Sequence, residues 1–199
     1  MKKNSKNLLN SFILLLVAFF LASFLINSNN NYVSQPPDFY YTSQQVTFDE
    51  FTEYIKNNEI VVNLPSLLPE GYKLTAIYLK KSPFIAIVVY STDSNKDYKT
   101  AELTIQISYA TQIPTCDELV SNIQNGEFEK VYEINNWPVL VNEKASSGSE
   151  ASFIAKYGEY TVLTIVWIEE IQYVINSPNL TTTNIITLVQ EMGPIGNQT

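Results

Sequence analysis

The sequence predicts an α+β fold: an antiparallel, curved β-sheet of about seven or eight strands with two or three helices packed on one face, preceded by one N-terminal transmembrane helix. Three observations predict it. Runs of β-branched and aromatic residues follow one another with short turns between, which favours antiparallel neighbours. Helical periodicity is confined to three short stretches with recognisable caps, at the start, middle and end of the domain. A 19-residue stretch without charge stands near the N-terminus.

That stretch, residues 8–26, reads LLNSFILLLVAFFLASFLI, about the length that spans a bilayer core as a helix. Lys2, Lys3 and Lys6 precede it, and residues 27–41 carry only Asp38. Positive charge stays in the cytoplasm, so residues 1–7 form a cytoplasmic tip and the C-terminal domain lies outside. The expected location is the cell membrane, single-pass. The alternative is a cleaved secretory signal and a secreted domain. Ala22 and Ser23 are small, but Phe24, Leu25 and Ile26 follow at once and no A-x-A pattern appears. Residues 27–45, with Asn29-Asn30-Asn31 and Pro36-Pro37, read as a polar linker.

The outer domain, residues 46–193, opens with a capping box, Thr47 and Glu50 three apart, and a helix over 47–57 with Phe48, Phe51 and Ile55 on one face. Strands are expected at 60–64, 73–79, 85–91 and 103–109. The last alternates Leu103, Ile105, Ile107 and Tyr109 with Thr104, Gln106 and Ser108, the pattern of a half-buried strand. Gly71 suits the turn before the second strand, and 92–100 reads as a hairpin loop. A second capping box, Thr115 and Glu118, starts a short helix with Cys116, Leu119, Val120 and Ile123 on its apolar stripe. Four more strands are expected at 129–134, 139–142, 151–157 and 160–167, with tight turns at Asn135-Asn136 and Gly158-Glu159. Ser177-Pro178 reads as the start of a last helix whose apolar face is Ile185, Leu188, Val189 and Met192, stopped by Gly193-Pro194. Residues 194–199 are a tail.

Composition narrows function. The net charge is −8, and all 12 basic residues are lysine, with no arginine and no histidine. The phosphate backbone would be repelled and its preferred bidentate ligand is missing, so nucleic acid is not an expected partner. Missing histidine removes the usual general base and the commonest metal ligand. One cysteine, Cys116, excludes an intrachain disulfide and disfavours structural zinc. No cofactor is expected.

Residues 64–192 carry a recurring set of marks. These are Leu64-Pro65, then Leu68-Pro69-Glu70-Gly71-Tyr72, then Ile87-Val88-Val89-Tyr90. The polar-alternating Leu103-Thr104-Ile105-Gln106, the strands around Gly158-Glu159-Tyr160 and the closing helix from Ser177 complete them. In these marks the chain resembles the extracytoplasmic domain of unknown function found in membrane-anchored bacterial and archaeal proteins, including the C-terminal parts of some anti-sigma factors. It is more distantly similar to the curved-sheet domains of lipoprotein carriers and periplasmic stress sensors. The resemblance implies the fold and an outward location. Anti-sigma binding is not implied, because only residues 1–7 would lie inside.

No nucleophile–base pair can be assembled without histidine, so no catalytic residues and no enzyme activity are expected. The carboxylate pairs Asp49-Glu50 and Asp117-Glu118 suit first helical turns, and Glu169-Glu170 follows a strand. Asp93, Asn95 and Asp97 alternate as in some calcium loops, but the loop glycine and closing glutamate are missing. Tyr78, Tyr90, Tyr109, Tyr157 and Trp167 are the natural lining for an apolar ligand, if they share one side of the sheet. Asn179 and Asn197 stand in N-glycosylation triplets. The expected function is a non-enzymatic binding or sensor-type domain outside the membrane. The alternatives are a structural or envelope-assembly subunit, or a carrier of an apolar ligand such as a lipid chain. Expected partners are the membrane, through residues 8–26, and an envelope protein or lipid.

Overall fold

The computed structural model describes residues 42–123, 128–148 and 150–195. The expected membrane segment at 8–26, the linker up to residue 41, and Asn197 lie outside them. No helix among the described residues is long and apolar enough to cross a membrane.

The core of the architecture is an eight-stranded sheet in the order β1-β3-β4-β5-β9-β8-β7-β6, antiparallel at every pairing. Its strands are β1 (Gln44–Val46), β3 (Lys73–Lys81), β4 (Phe84–Ser91), β5 (Leu103–Tyr109), β6 (Glu129–Ile134), β7 (Trp137–Ser146), β8 (Tyr160–Ile168) and β9 (Ile171–Ser177). A small second sheet pairs β2 (Asn63–Pro65) with β10 (Met192–Pro194). Four helices complete the α+β fold: α1 (Phe48–Asn57), α2 (Cys116–Asn122), α3 (Ala151–Tyr157) and α4 (Thr182–Gln190).

Side-chain alternation gives the large sheet two different faces. The first face presents Ile77 and Leu79, then Phe84, Ala86, Val88 and Tyr90, then Leu103, Ile105 and Ile107. Val166, Ile168, Tyr173 and Ile175 extend it across β8 and β9. Phe51 and Ile55 of α1, Ile185, Leu188 and Val189 of α4, and Leu64 and Met192 of the small sheet join the same buried cluster. This is the core. The second face carries two smaller apolar clusters, one around Ile85, Ile87 and Val89, the other around Ala145, Leu163 and Val174. Between them lie Thr104, Gln106, Ser108, Gln172 and Asn176, all half-buried.

Several expectations change. Helices α1 and α4 share the first face, but not every helix does. Glu118 and Asn122 of α2 line a pocket with Trp167 and Gln172, which alternate with core residues, so α2 lies on the second face. Residues 151–157 form helix α3, not a strand. Phe153 and Tyr157 are in ring contact at one helical turn, with centroids 4.9 Å apart, and Gly158 closes the helix at φ 94°. Strand β9 was not expected, yet it is a central strand, between β5 and β8. Ser177 therefore ends a strand instead of capping a helix, and its hydroxyl donates to the Glu102 carbonyl at 2.8 Å. The cap of α4 is Thr181, whose Oγ1 accepts from Asn184 N while Asn184 Oδ1 accepts from Thr181 N. At the chain ends, Gln44 and Gln45 pair with Leu79 and Tyr78, and Pro194 pairs with Asn63. The large sheet thus takes in residues that composition alone assigns to the linker, and the small sheet takes in one assigned to the tail.

Candidate binding face

The second face is built in rows across the strands. Ser108 faces Gln172, which faces Trp167. The next row runs Ile87, Gln106, Val174, Ile165, Leu140. Gln106 brings an amide into an otherwise apolar row, and its Oε1 is buried without a hydrogen-bond partner among the described residues. The third row, Val89, Thr104, Asn176 and Leu163, is tied down: Thr161 Oγ1 donates to Asn176 Oδ1 at 2.6 Å.

The β4–β5 loop folds over β3 at one side of this floor. Tyr98 meets Tyr78 edge-on at 5.0 Å, and Tyr78 Oη donates to the Lys96 carbonyl at 3.0 Å. Helix α2 stands at the other side. Where it approaches the sheet, Thr111, Gln112, Pro114, Glu118, Asn122, Trp167 and Gln172 line an open pocket of about 270 Å3. Its lining holds three carboxamides, one hydroxyl, one carboxylate and one indole, and no cation. Glu118 is held in place by the α2 capping box: its Oε2 accepts from Thr115 N at 2.7 Å and from Thr115 Oγ1 at 3.1 Å. Those two bonds, the backbone one first, keep its carboxyl below the usual carboxylate range. The side chains of Thr111, Gln112, Asn122 and Gln172 make no hydrogen bond to another described residue.

Of the residues singled out in the sequence, Trp167 and Glu118 line this pocket and the others fall elsewhere. The five aromatics are not gathered on one side. Tyr90 is in the first-face core, and Tyr109 lies at its margin, half exposed, against Phe84 at 5.7 Å. Tyr157 is on helix α3, where its Oη donates to the Thr100 carbonyl at 3.3 Å. Tyr78 and Trp167 do share the second face, but four strand spacings separate them, about 19 Å. The acidic loop uses its oxygens for turns. Asp93 accepts from the Ser91 hydroxyl and from Asn95 N, Asn95 Oδ1 accepts from Asp97 N, and Asp97 Oδ1 accepts from Lys99 N. The Ser91 bond first, then Asn95 N and Lys156, pull Asp93 down to about 2. Among the described residues no group of three or more Cys, Asp or Glu is placed to hold a metal ion.

Cys116 is half-buried at the first turn of α2, with Sγ 3.8 Å from the Tyr132 carbonyl. Burial, then the nearby Glu133 and Asp117, push its thiol above the ordinary range, which keeps it protonated and a poor nucleophile at neutral pH. The apolar stripe expected for α2 is narrower than its spacing implied, because Val120 is 60% exposed and Leu119 alone is buried. Glu50 is held below its usual range by the Thr47 cap, backbone bond first. A general acid needs the opposite shift. Glu169 and Glu170 form the exposed β8–β9 turn, with Glu169 at φ 53°. Asn179 is exposed in the connection before α4.

The amides that build the pocket were not legible as a site. Gln172 lies on the strand that sequence patterning missed, and Gln112 and Thr111 lie in a connection with no motif. Comparison with protein-family models, with curated proteins and with solved structures finds no match to this chain.

Proposed function

We propose that the chain is a non-enzymatic binding domain, displayed outside the cytoplasmic membrane by residues 8–26, and that it engages its ligand through the second face of the sheet. The observation that carries this reading is the asymmetry of the two faces. One is sealed by α1, α4 and the small sheet into an apolar core. The other keeps a floor of neutral amides and hydroxyls, with a pocket where the side chains of Thr111, Gln112, Asn122 and Gln172 make no hydrogen bond to another described residue. Of these side chains Gln172 is half-buried and Thr111, Gln112 and Asn122 are exposed around it, so a concave set of amides and a hydroxyl that the fold does not use is available to a ligand. The carboxylates held low by helix caps, and the protonated Cys116, favour binding over chemistry.

A screen of chemically mixed small ligands against the full-length protein, mapped by backbone amide NMR shifts, tests the face. The expected shifts fall on Thr111, Gln112, Asn122, Trp167 and Gln172. Shifts confined to α1 and α4, or none at any residue, would remove the reading. Orientation is tested separately. In a Cys116→Ser, Lys96→Cys chain, the exposed loop thiol should react with a membrane-impermeant maleimide on intact cells. Labelling only after permeabilisation would place the domain on the other side.

A further inference from the structure

We infer that the α2 pocket takes a single ring of a neutral saccharide. The inference rests on the binding-face reading above and names the ligand class for it. No lysine lines the pocket, and its one ionisable group is the carboxylate of Glu118, anchored through Oε2 by Thr115. A phosphate or carboxylate ligand would meet that negative charge with no cation to offset it, in a chain of net charge −8. Anions are therefore disfavoured. A purely apolar ligand is disfavoured as well, because it would strip water from three carboxamides and a hydroxyl and give nothing back.

What remains is a neutral molecule rich in groups that both donate and accept. Gln112, Asn122 and Gln172 each present an amide with two donors and one acceptor oxygen, and Thr111 adds a hydroxyl. A pyranose matches this with a rim of hydroxyls, each donor and acceptor. It also has a C–H face of low polarity, and the pocket has one apolar aromatic wall, Trp167, directly across the strands from Gln172. The placement is rigid where it matters. Trp167 and Gln172 stand on adjacent antiparallel strands, and Glu118 is fixed by a reciprocal capping box. Size agrees: about 270 Å3 is just below the range of pockets that hold drug-sized ligands, roughly 300–1,000 Å3, so it has room for one ring and not for an acyl chain. The pocket is open to solvent. A ring at the end of a surface glycan and a free monosaccharide present the same chemistry to it.

The test is isothermal titration of the full-length protein, held in a detergent without a sugar headgroup, together with the intrinsic fluorescence of Trp137 and Trp167. Four probes are compared: neutral hexoses, neutral oligosaccharides ending in the same hexose, the matching amino sugar, and the matching uronic acid. Neutral probes should bind, and the uronic acid at least tenfold more weakly. Gln172→Leu and Thr111→Val should each weaken binding of the neutral probe about tenfold, the usual consequence of one lost hydrogen bond. Thr111 lies in a connection, so Thr111→Val keeps the test valid if Gln172→Leu unfolds the sheet. Oligosaccharides binding more tightly than free hexose would identify a glycan end as the ligand; equal binding would identify the free sugar. Tighter binding of the amino sugar, lost in Glu118→Gln, would overturn the inference in favour of a cation site. Absence of saccharide binding, with other chemotypes still shifting the pocket amides, would overturn the inference and leave the binding face standing. If no chemotype shifts those amides, both readings fall.

Discussion

Replacing Phe51 by alanine is expected to remove about 3–5 kcal/mol of stability, the range for truncating a fully buried phenylalanine. Phe51 has no exposed surface and sits with Ile55 in the first-face core cluster. Its helix is ten residues long, too short to persist without docking, so its stability comes from this buried face. The loss is a large part of the 5–15 kcal/mol available to an ordinary domain, and it should lower the melting temperature by roughly 10 °C. Phe48 is the internal control. It lies on the same helix, 40% exposed, and Phe48→Ala should cost less than about 1 kcal/mol. The Thr47–Glu50 capping box is untouched in both variants, with Glu50 Oε2 2.7 Å from Thr47 N. Urea unfolding of the two variants decides the matter. Equal midpoints would mean that α1 is not docked on the sheet.

The same helix shows what sequence can reveal. Thr47-x-x-Glu50 and Thr115-x-x-Glu118 are local signals with a local cause, and both boxes form with both reciprocal bonds. Asn135-Asn136 is another. Both residues adopt left-handed backbone, φ 54° and 64°, as a two-residue hairpin needs. The misses also have local causes. The α4 box uses Asn184 where glutamate is usual, so Ser177-Pro178 reads as the stronger start signal in the sequence. The β8–β9 turn is Glu169-Glu170, without the glycine, asparagine or proline that marks a turn, and β9 vanished with it. Ala151 to Tyr157 holds Phe, Ile and Tyr, which suit a strand, but Phe153 and Tyr157 are one helical turn apart and pack together.

The site was less legible than the fold, and for a different reason. Periodicity says which residues of α2 are apolar. It does not say which of two sheet faces they meet. The pocket forms where α2 approaches the second face beside Trp167 of β8 and Gln172 of β9. A missed central strand hides Gln172, whereas Trp167 opposite it stands on an expected strand. The lone polar residue in a mostly apolar row, Gln106, was visible as alternation, yet alternation reads as an ordinary solvated face.

Tyr173 lies on that same strand, and its hydroxyl links the two sheets. It has no exposed surface, and its Oη accepts from the Asn63 backbone N–H at 2.8 Å. Asn63 is buried at the start of β2, and the neighbouring pairing of Ile195 N with the Val62 carbonyl turns the Asn63 N–H away from β10. Burial raises the Tyr173 hydroxyl above its ordinary range against the Asn63 bonds, so it stays neutral and available as an acceptor across the physiological range. Tyr173→Phe keeps the ring and removes only that acceptor. The buried N–H is then left without a partner, and the expected cost is about 1–3 kcal/mol, more than the net worth of an ordinary hydrogen bond. Tyr90→Phe separates this effect from loss of a buried hydroxyl in general. Tyr90 is nearly as buried, at 4%, but its hydroxyl makes no hydrogen bond to another described residue, so that change should cost less than about 0.5 kcal/mol. Two readouts are needed. Urea unfolding gives the stability difference, and amide exchange should show faster opening at Asn63 and Leu64 than at β4 in Tyr173→Phe. Equal costs for the two tyrosines, with no local change at Asn63, would mean that the Tyr173 hydroxyl does not hold β2 and β10 against the large sheet.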